Sequence, residues 1–304
     1  MSLLLMLRPA LASEPLPLVV SATDVAGAAV ISRTVQVGQS LELLGFAQPV
    51  VEQVAHRARL RQVAREHFQL DMPDSGAGLS LLLAGARLEL FVGRPLDPAA
   101  TELGGYQIGQ YPPIADRGPS YRPPSRLIEV RPDNRDRRVS EHFRIGQFLC
   151  KQDADWPRFV AVAPALLAKL ERLVSLLRAE GLAVETLTVM SGYRTPAYNL
   201  ALGNVAYSRH VYGDAADVFV DVDGDGQMDD LNQDGVIDVA DATWLLDLLE
   251  RHESVAKEAV PGGLGGYSAN AFHGPFLHVD ARGSRARWGH QPKRDSVVAL
   301  RDDS

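Results

Sequence analysis

Apolar and polar residues alternate with a period of two along the first hundred positions, and the period lengthens to that of a helix further on. Thr34-Val-Gln-Val-Gly-Gln-Ser-Leu-Glu-Leu-Leu44 alternates about a glycine turn, and Arg87-Leu-Glu-Leu-Phe-Val92 alternates again. Such runs are strands with one face turned inward. Met72-Pro-Asp-Ser-Gly-Ala-Gly78 is a turn cluster between two of them. Residues 13–110 therefore read as a β-rich, sandwich-like domain, with Val50 to His67 open to either strand or helix. No catalytic constellation falls in this part, which leaves it a spacer or docking role.

Tyr111-Pro-Pro through Tyr121-Arg-Pro-Pro-Ser125 is rich in Pro and Gly, and residues 111–138 read as an extended linker. Beyond it, Leu166, Leu167, Leu170, Leu173, Val174 and Leu177 recur at helical spacing, predicting a helix from Pro164 to Glu180 that stops near Gly181. Leu187 to Met190 reads as a strand. Thr195-Pro196 is an N-cap and first-turn pair for a short helix ending at Gly203. Ala215 to Val220 and Phe276 to Arg282 read as two more strands. A helix from about Asp241 presents Trp244, Leu245, Leu248 and Leu249 on one face, with His252 and Lys257 near its end, where the dipole favours cations. The fold class is α+β: over 139–304, a small sheet with helices packed on it.

Composition changes this picture little. The 304 residues are 46% hydrophobic and 23% charged, ordinary for a soluble globular protein. No apolar run approaches the ~18 residues that span a bilayer. Met1-Ser-Leu-Leu-Leu-Met-Leu-Arg-Pro-Ala-Leu-Ala12 looks like part of a secretory signal ending in an Ala-Leu-Ala cleavage site, or else an apolar strand. The signal reading makes the protein exported, in the periplasm or cell envelope. Cys150 is the sole cysteine, so there is no intrachain disulfide, and Phe148-Leu149-Cys150 suggests a small buried apolar role.

Charge changes it more. The net charge of −7 argues against nucleic acid as partner. Eight aspartates with no Lys or Arg crowd residues 221–241, and without them the chain would carry about +1. Counting from Asp230, oxygens fall at positions 1, 3, 5, 9 and 12 (Asp230, Asn232, Asp234, Asp238, Asp241), with Gly235 at position 6. That is the spacing by which a short loop wraps a hard cation. Asp221, Asp223, Asp225 and Asp229 begin a similar loop that closes on Asn232. The second loop resembles those of dockerin and EF-hand modules, and the insertion is expected to hold one or two structural Ca2+ ions.

His210, Asp217 and His278 are two imidazoles and a carboxylate, a set suited to a catalytic Zn2+ with its fourth position open. His210 and Asp217 lie seven apart with Gly213 between them. The spacing is wrong for one helical face but suits a turn at Gly213 that folds a loop histidine back onto the start of a strand. In Phe276 to Arg282 the period of two puts Phe276, His278 and Asp280 on one face. His273 precedes this strand by a short Gly-Pro turn.

Ser208-x-His210-x-x-Gly213-x-Ala215-x-Asp217, preceded by Ser191-Gly-Tyr-Arg194-Thr-Pro and followed by Phe276-Leu-His278-Val-Asp280, resembles the zinc D-Ala-D-Ala peptidase family, peptidase M15. The resemblance runs from Ser140-Glu-His-Phe143 to Arg285-Ala-Arg-Trp288. It implies that His210, Asp217 and His278 hold zinc. Arg194 would pair with a substrate carboxylate or the oxyanion, and Ser208 and Tyr212 would line the cleft. For the acid/base group it leaves His273 or Asp280, the latter with the alternative of orienting a ligand, because Pro275 stands where some members have Glu. It implies hydrolysis of peptide bonds in cell-wall peptidoglycan, as D,D-carboxypeptidase or endopeptidase. The alternatives are a non-catalytic zinc-containing peptidoglycan-binding module and a calcium-dependent interaction protein.

Overall fold

A computed structural model of the chain describes residues 18–36, 38–47, 49–53, 59–72, 78–114, 117–256 and 260–289. The signal-like residues 1–12, Lys257 and the centre of the 72–78 turn cluster lie outside them. Two compact units divide the chain, Met1–Arg94 and Pro95–Ser304, and the architecture is mixed α+β with several small sheets.

In the first unit Leu18–Ser21 pairs parallel with Ser40–Leu44, which pairs antiparallel with His67–Asp71, and that with Arg59–Ala64. A second set joins Val50–Gln53, Leu79–Leu83 and Ala86–Pro95 antiparallel, with Val30–Val35 parallel beside the last. The open alternative for Val50 to His67 resolves to strands over its described residues. Alternation directs Leu41 and Leu43 from one sheet, and Leu79, Leu81, Leu83, Leu88 and Leu90 from the other, into a single fully buried apolar cluster.

The unit boundary at Arg94/Pro95 corrects the expected domain end at 110 and the linker over 111–138. Within that stretch Arg126–Val130 is a strand, antiparallel to Arg158–Val160, with Leu127 and Val130 fully buried, and Tyr111 is buried too. Proline pairs at 112–113 and 123–124 break regular structure locally. The Leu-Ile-Glu-Val run after them still has strand composition, which averaging over a Pro-rich window hides.

A five-stranded sheet organises the second unit, in the order Thr188–Ser191, Ala215–Phe219, Phe276–Asp280, Gly263–Tyr267, Ala286–Gly289. All neighbours are antiparallel except the last pair. Helices Pro164–Ala179 and Val239–Val255 pack on it. The first buries the six apolar residues that its spacing predicted, together with Lys169. Leu277 and Val279 alternate to the helix side of the sheet, which leaves the face of His278 free for chemistry.

Gly263–Tyr267 is the strand that pattern reading misses, because glycine weakens strands. Space explains it. A Cβ on Gly262 would lie 1.7 Å from the Asp280 carbonyl oxygen, one on Gly263 would lie 2.3 Å from Asp280 Oδ2, and one on Gly265 would lie 2.5 Å from Trp288 Nε1. Any side chain there would displace the groups that surround His278.

Candidate metal centre

Sheet register builds the site. Ser191 opposes Asp217, Asp217 opposes His278, His278 opposes Gly265, and Gly265 opposes Trp288, one row across five strands. His210 reaches this row from the single turn Arg209–Tyr212, which Gly213 ends at φ +75°. Gly213 is required twice over: its φ is left-handed, and a Cβ would sit 2.5 Å from Ala161.

Three donor atoms converge there. His210 Nε2 lies 3.2 Å from Asp217 Oδ1 and 3.3 Å from His278 Nδ1, while His278 Nδ1 lies 2.8 Å from Asp217 Oδ1. All three residues are buried. Ligand bonds of ~2.0–2.1 Å to a tetrahedral ion place neighbouring donors about 3.3 Å apart, so the spacing and the N/N/O set fit zinc.

The far side of each ligand is held by protein. His210 Nδ1 donates to the Gly192 carbonyl at 2.7 Å, which leaves the Nε2 lone pair facing the centre. His278 Nε2 donates to Asp280 Oδ2 at 3.3 Å, turning Nδ1 inward. Asp217 Oδ2 accepts from Arg194 at 2.6 Å, which frees Oδ1. Such outer partners fix tautomer and orientation.

The two imidazoles shift in opposite directions. Burial pushes the His210 imidazole down despite Asp217 nearby, favouring the neutral form that a ligand needs. Burial alone would lower His278 and raise Asp217. Hydrogen bonds that His278 donates to Asp217 and Asp280 more than offset it for that imidazole, which rises, so a bound cation would have to replace its proton; the two imidazoles hold Asp217 well below the carboxylate range.

Asp280 is fully buried. Its Oδ1 accepts from the Gly263 and Arg282 backbone N–H groups, and the Arg282 guanidinium grips both oxygens. With Oδ2 also on His278, this carboxylate has the bonding of a ligand-orienting group. Arg282 in turn stacks 5.0 Å from the Trp288 ring, whose centroid lies 5.1 Å from that of His278.

Other expected residues sit further out. His273 is half-buried, Nδ1 donating to the Gly274 carbonyl and Nε2 accepting from Asn270 at 2.7 Å, with its edge on Phe276. No contact joins it to the triad among the described residues. Arg194 also donates through Nε to Ser191 Oγ at 2.9 Å, so two of its nitrogens are committed to the protein. Ser208 precedes the His210 turn and is half-buried. Tyr212 is buried, its hydroxyl without a hydrogen-bond partner among the described residues and pushed up to about 12 by burial. It packs against Tyr111, Tyr121 and Arg209.

The acidic insertion holds a nine-residue repeat that the loop counting overlooked: Asp221-Val-Asp-Gly-Asp-Gly-Gln-Met-Asp229, then Asp230-Leu-Asn-Gln-Asp-Gly-Val-Ile-Asp238. Gly226 N donates to Asp221 Oδ2, and Gly235 N repeats this on Asp230 Oδ2. Asp221, Asp223 and Asp225 bring carboxylate oxygens within 4.8 Å of one another. In the second loop two expected ligands are used otherwise. Asp238 N-caps the Val239–Val255 helix, and the fully buried Asp241 accepts from the backbone of Leu231, Asn232 and Asp238. Asp241, expected to close a dockerin-like loop, thus bonds backbone N–H groups of the loop and the helix start through both carboxylate oxygens.

The residues outside the sequence motif that matter most are Gly263, Gly265 and Arg282. The glycine density at 262–266 was a signal for the first two, and none pointed to Arg282.

A buried two-histidine, one-aspartate centre on the open face of a small α+β sheet defines a candidate mononuclear metal site of hydrolytic type. Residues 141–233 match a family model described as Peptidase M15, less than half of the chain and inclusive of His210 and Asp217. That stretch is similar to a peptidase family, and the match supports peptidase activity. No curated protein matches the chain. Among the described residues no helix is long and apolar enough to cross a membrane.

Proposed function

We propose that the second unit is a zinc peptidase that hydrolyses peptide bonds in the stems or cross-links of cell-wall peptidoglycan, in an exported, periplasmic or envelope-associated protein. The convergence of His210 Nε2, Asp217 Oδ1 and His278 Nδ1, each oriented from behind, carries this reading. A bound zinc would supply Lewis acidity and a water of lowered pKa. The chain's part is to keep both imidazoles in the ligating tautomer and, through the Arg194 bond to Asp217 Oδ2, to keep Oδ1 facing the centre. The remaining guanidinium nitrogen of Arg194 meets substrate negative charge. Asp280 orients His278, and His273 takes the proton-transfer role once it exchanges its Asn270 bond for substrate-bound water.

Metal analysis and muropeptide digestion test the reading together. The protein should hold about one zinc and release shortened stems, and His210→Ala should lose both; retained zinc in that variant would refute the ligand set. One observation favours a second reading, a non-catalytic zinc-containing peptidoglycan-binding module: among the described residues His273 has no contact with the triad, and Asp280 is fully bonded. Muropeptides bound without cleavage at full zinc occupancy would decide for it.

We also propose that the 221–229 loop holds a structural Ca2+. Supporting this are its three clustered carboxylates and a buried Asp221 Oδ1 without a partner among the described residues. The sandwich-like first unit is assigned a spacer or docking role.

A further inference from the structure

A groove of about 390 Å³ lies in the second unit between the turn Gly104-Gly105, followed by Tyr106-Gln107, and the segment Gln152 to Pro157. It lies within the range of small-ligand sites, ~300–1,000 Å³. No residue of the metal triad lines it. Its walls are fixed. Gln152 is buried, donates through Nε2 to the Gln107 carbonyl at 3.0 Å and accepts from Thr195 Oγ1 at 2.5 Å. Thr195 directly follows Arg194, so the groove floor is tied to the segment whose arginine bonds Asp217.

The rim has a particular chemistry. Trp156 is 37% exposed, so part of its ring is open to solvent. The Arg158 guanidinium lies 5.1 Å from the ring centroid and is itself held by two bonds to the Ala154 carbonyl, at 3.0 and 2.6 Å. Beside the ring stand the exposed carboxylates of Asp153 and Asp155 and the exposed amide of Gln107. These three side chains have no hydrogen-bond or ion-pair partner among the described residues.

A flat, braced aromatic ring flanked by planar acceptors and one amide matches a pyranose. The C–H face of the sugar lies on the negative face of the indole, and its hydroxyls donate to carboxylates and exchange bonds with the amide. An organic cation is a poorer match, because Arg158 already brings positive charge to the ring. We infer that this groove binds the saccharide part of the substrate, a neutral N-acetylhexosamine chain. The inference deepens the peptidoglycan reading and rests on it. Its consequence is that the enzyme holds the glycan on Trp156 while the peptide enters the metal centre.

Titration of the full-length protein with chitotetraose, followed by calorimetry, tests the groove without any cleavage. Saturable binding should weaken at least about tenfold in Trp156→Ala, as expected when ~1.4 kcal/mol or more of stacking is removed. Trp156→Phe should stay within about threefold, since a ring remains. The double variant Asp153→Asn, Asp155→Asn should weaken binding severalfold and covers the case in which Trp156→Ala does not fold. Absence of binding by the unaltered protein, equal binding by Trp156→Ala, or lysine amide binding in place of the sugar would overturn the inference. Cleavage of a sugar-free stem peptide by the unaltered protein reports separately on the peptidase reading, so either can fail while the other stands.

Discussion

The second unit contains two clusters of potential ligands, built on opposite principles. The His210–Asp217–His278 centre is buried, mixes nitrogen with oxygen, and has every outer atom held by protein. The 221–229 loop is largely exposed and all oxygen, and its carboxylates accept mainly from the backbone of their own loop. Burial pushes Asp229 up, and the neighbouring Asp223, Asp221 and Asp225 add to the rise. The centre is therefore organised before an ion arrives, whereas the loop is a set of mutually repelling charges that an ion would complete. Preorganisation makes the first a place for chemistry; the second suits a structural role.

Removing a donor from the organised centre should give the largest effect. His210→Ala or Asp217→Asn is expected to abolish zinc retention after dialysis and to lower any turnover by at least about a thousandfold, read by metal analysis and muropeptide assay. Next comes the support behind a donor. Asp280→Asn should weaken zinc binding about 10–100-fold, measured by competition with a chelator, and an unchanged affinity would make the two clusters less different than they look.

The loop should respond on another scale. Calcium at about a hundred times its dissociation constant should stabilise the fold by roughly 2.7 kcal/mol, and Asp223→Asn with Asp225→Asn should remove the gain while zinc content holds. No calcium-dependent shift in thermal unfolding would break the comparison on the loop side. Gly265→Ala tests the space around His278: its Cβ would meet the Trp288 indole, and destabilisation of about 1–3 kcal/mol is expected in denaturant unfolding.

The smallest effect concerns pH. Burial would raise Glu250, but Arg285 and Arg287 hydrogen-bond to it and hold it below the usual range. Its contribution is thus present above the unfolded-state value and lost as pH falls through the lowered one. Glu250→Gln should flatten the acid-side decline in stability by a fraction of a kcal/mol, about 0.5.

Sequence reading reached these parts unevenly. Helix Pro164–Ala179 was legible because Leu166 to Leu177 keep helical spacing, and the shared face of His278 and Asp280 followed from strand alternation. The turn at Gly213 was legible because nothing else reconciles His210 with Asp217 seven residues on. Gly263–Tyr267 was not, since its residues are set by the bulk of Asp280 and Trp288 and not by local preference. Arg126–Val130 was masked by the prolines before it. Spacing marked Asp241 as a candidate ion ligand but could not reveal the backbone N–H groups bonded to its carboxylate. The Trp156 groove left no trace in any motif, because its walls are brought together by tertiary contacts such as Gln152 on the Gln107 carbonyl and Tyr106 on Phe159.

The cross-strand row from Ser191 to Trp288 has a bearing on assembly. A slip of one residue between Ala215–Phe219 and Phe276–Asp280 would carry His278 to the helix side and turn Leu277 toward Asp217. The three donors exist as a set in one register only. A bound metal ion would thus act as a proofreader of strand pairing: it would be retained by chains that have aligned their central strands correctly and would leave misaligned ones without that stabilisation.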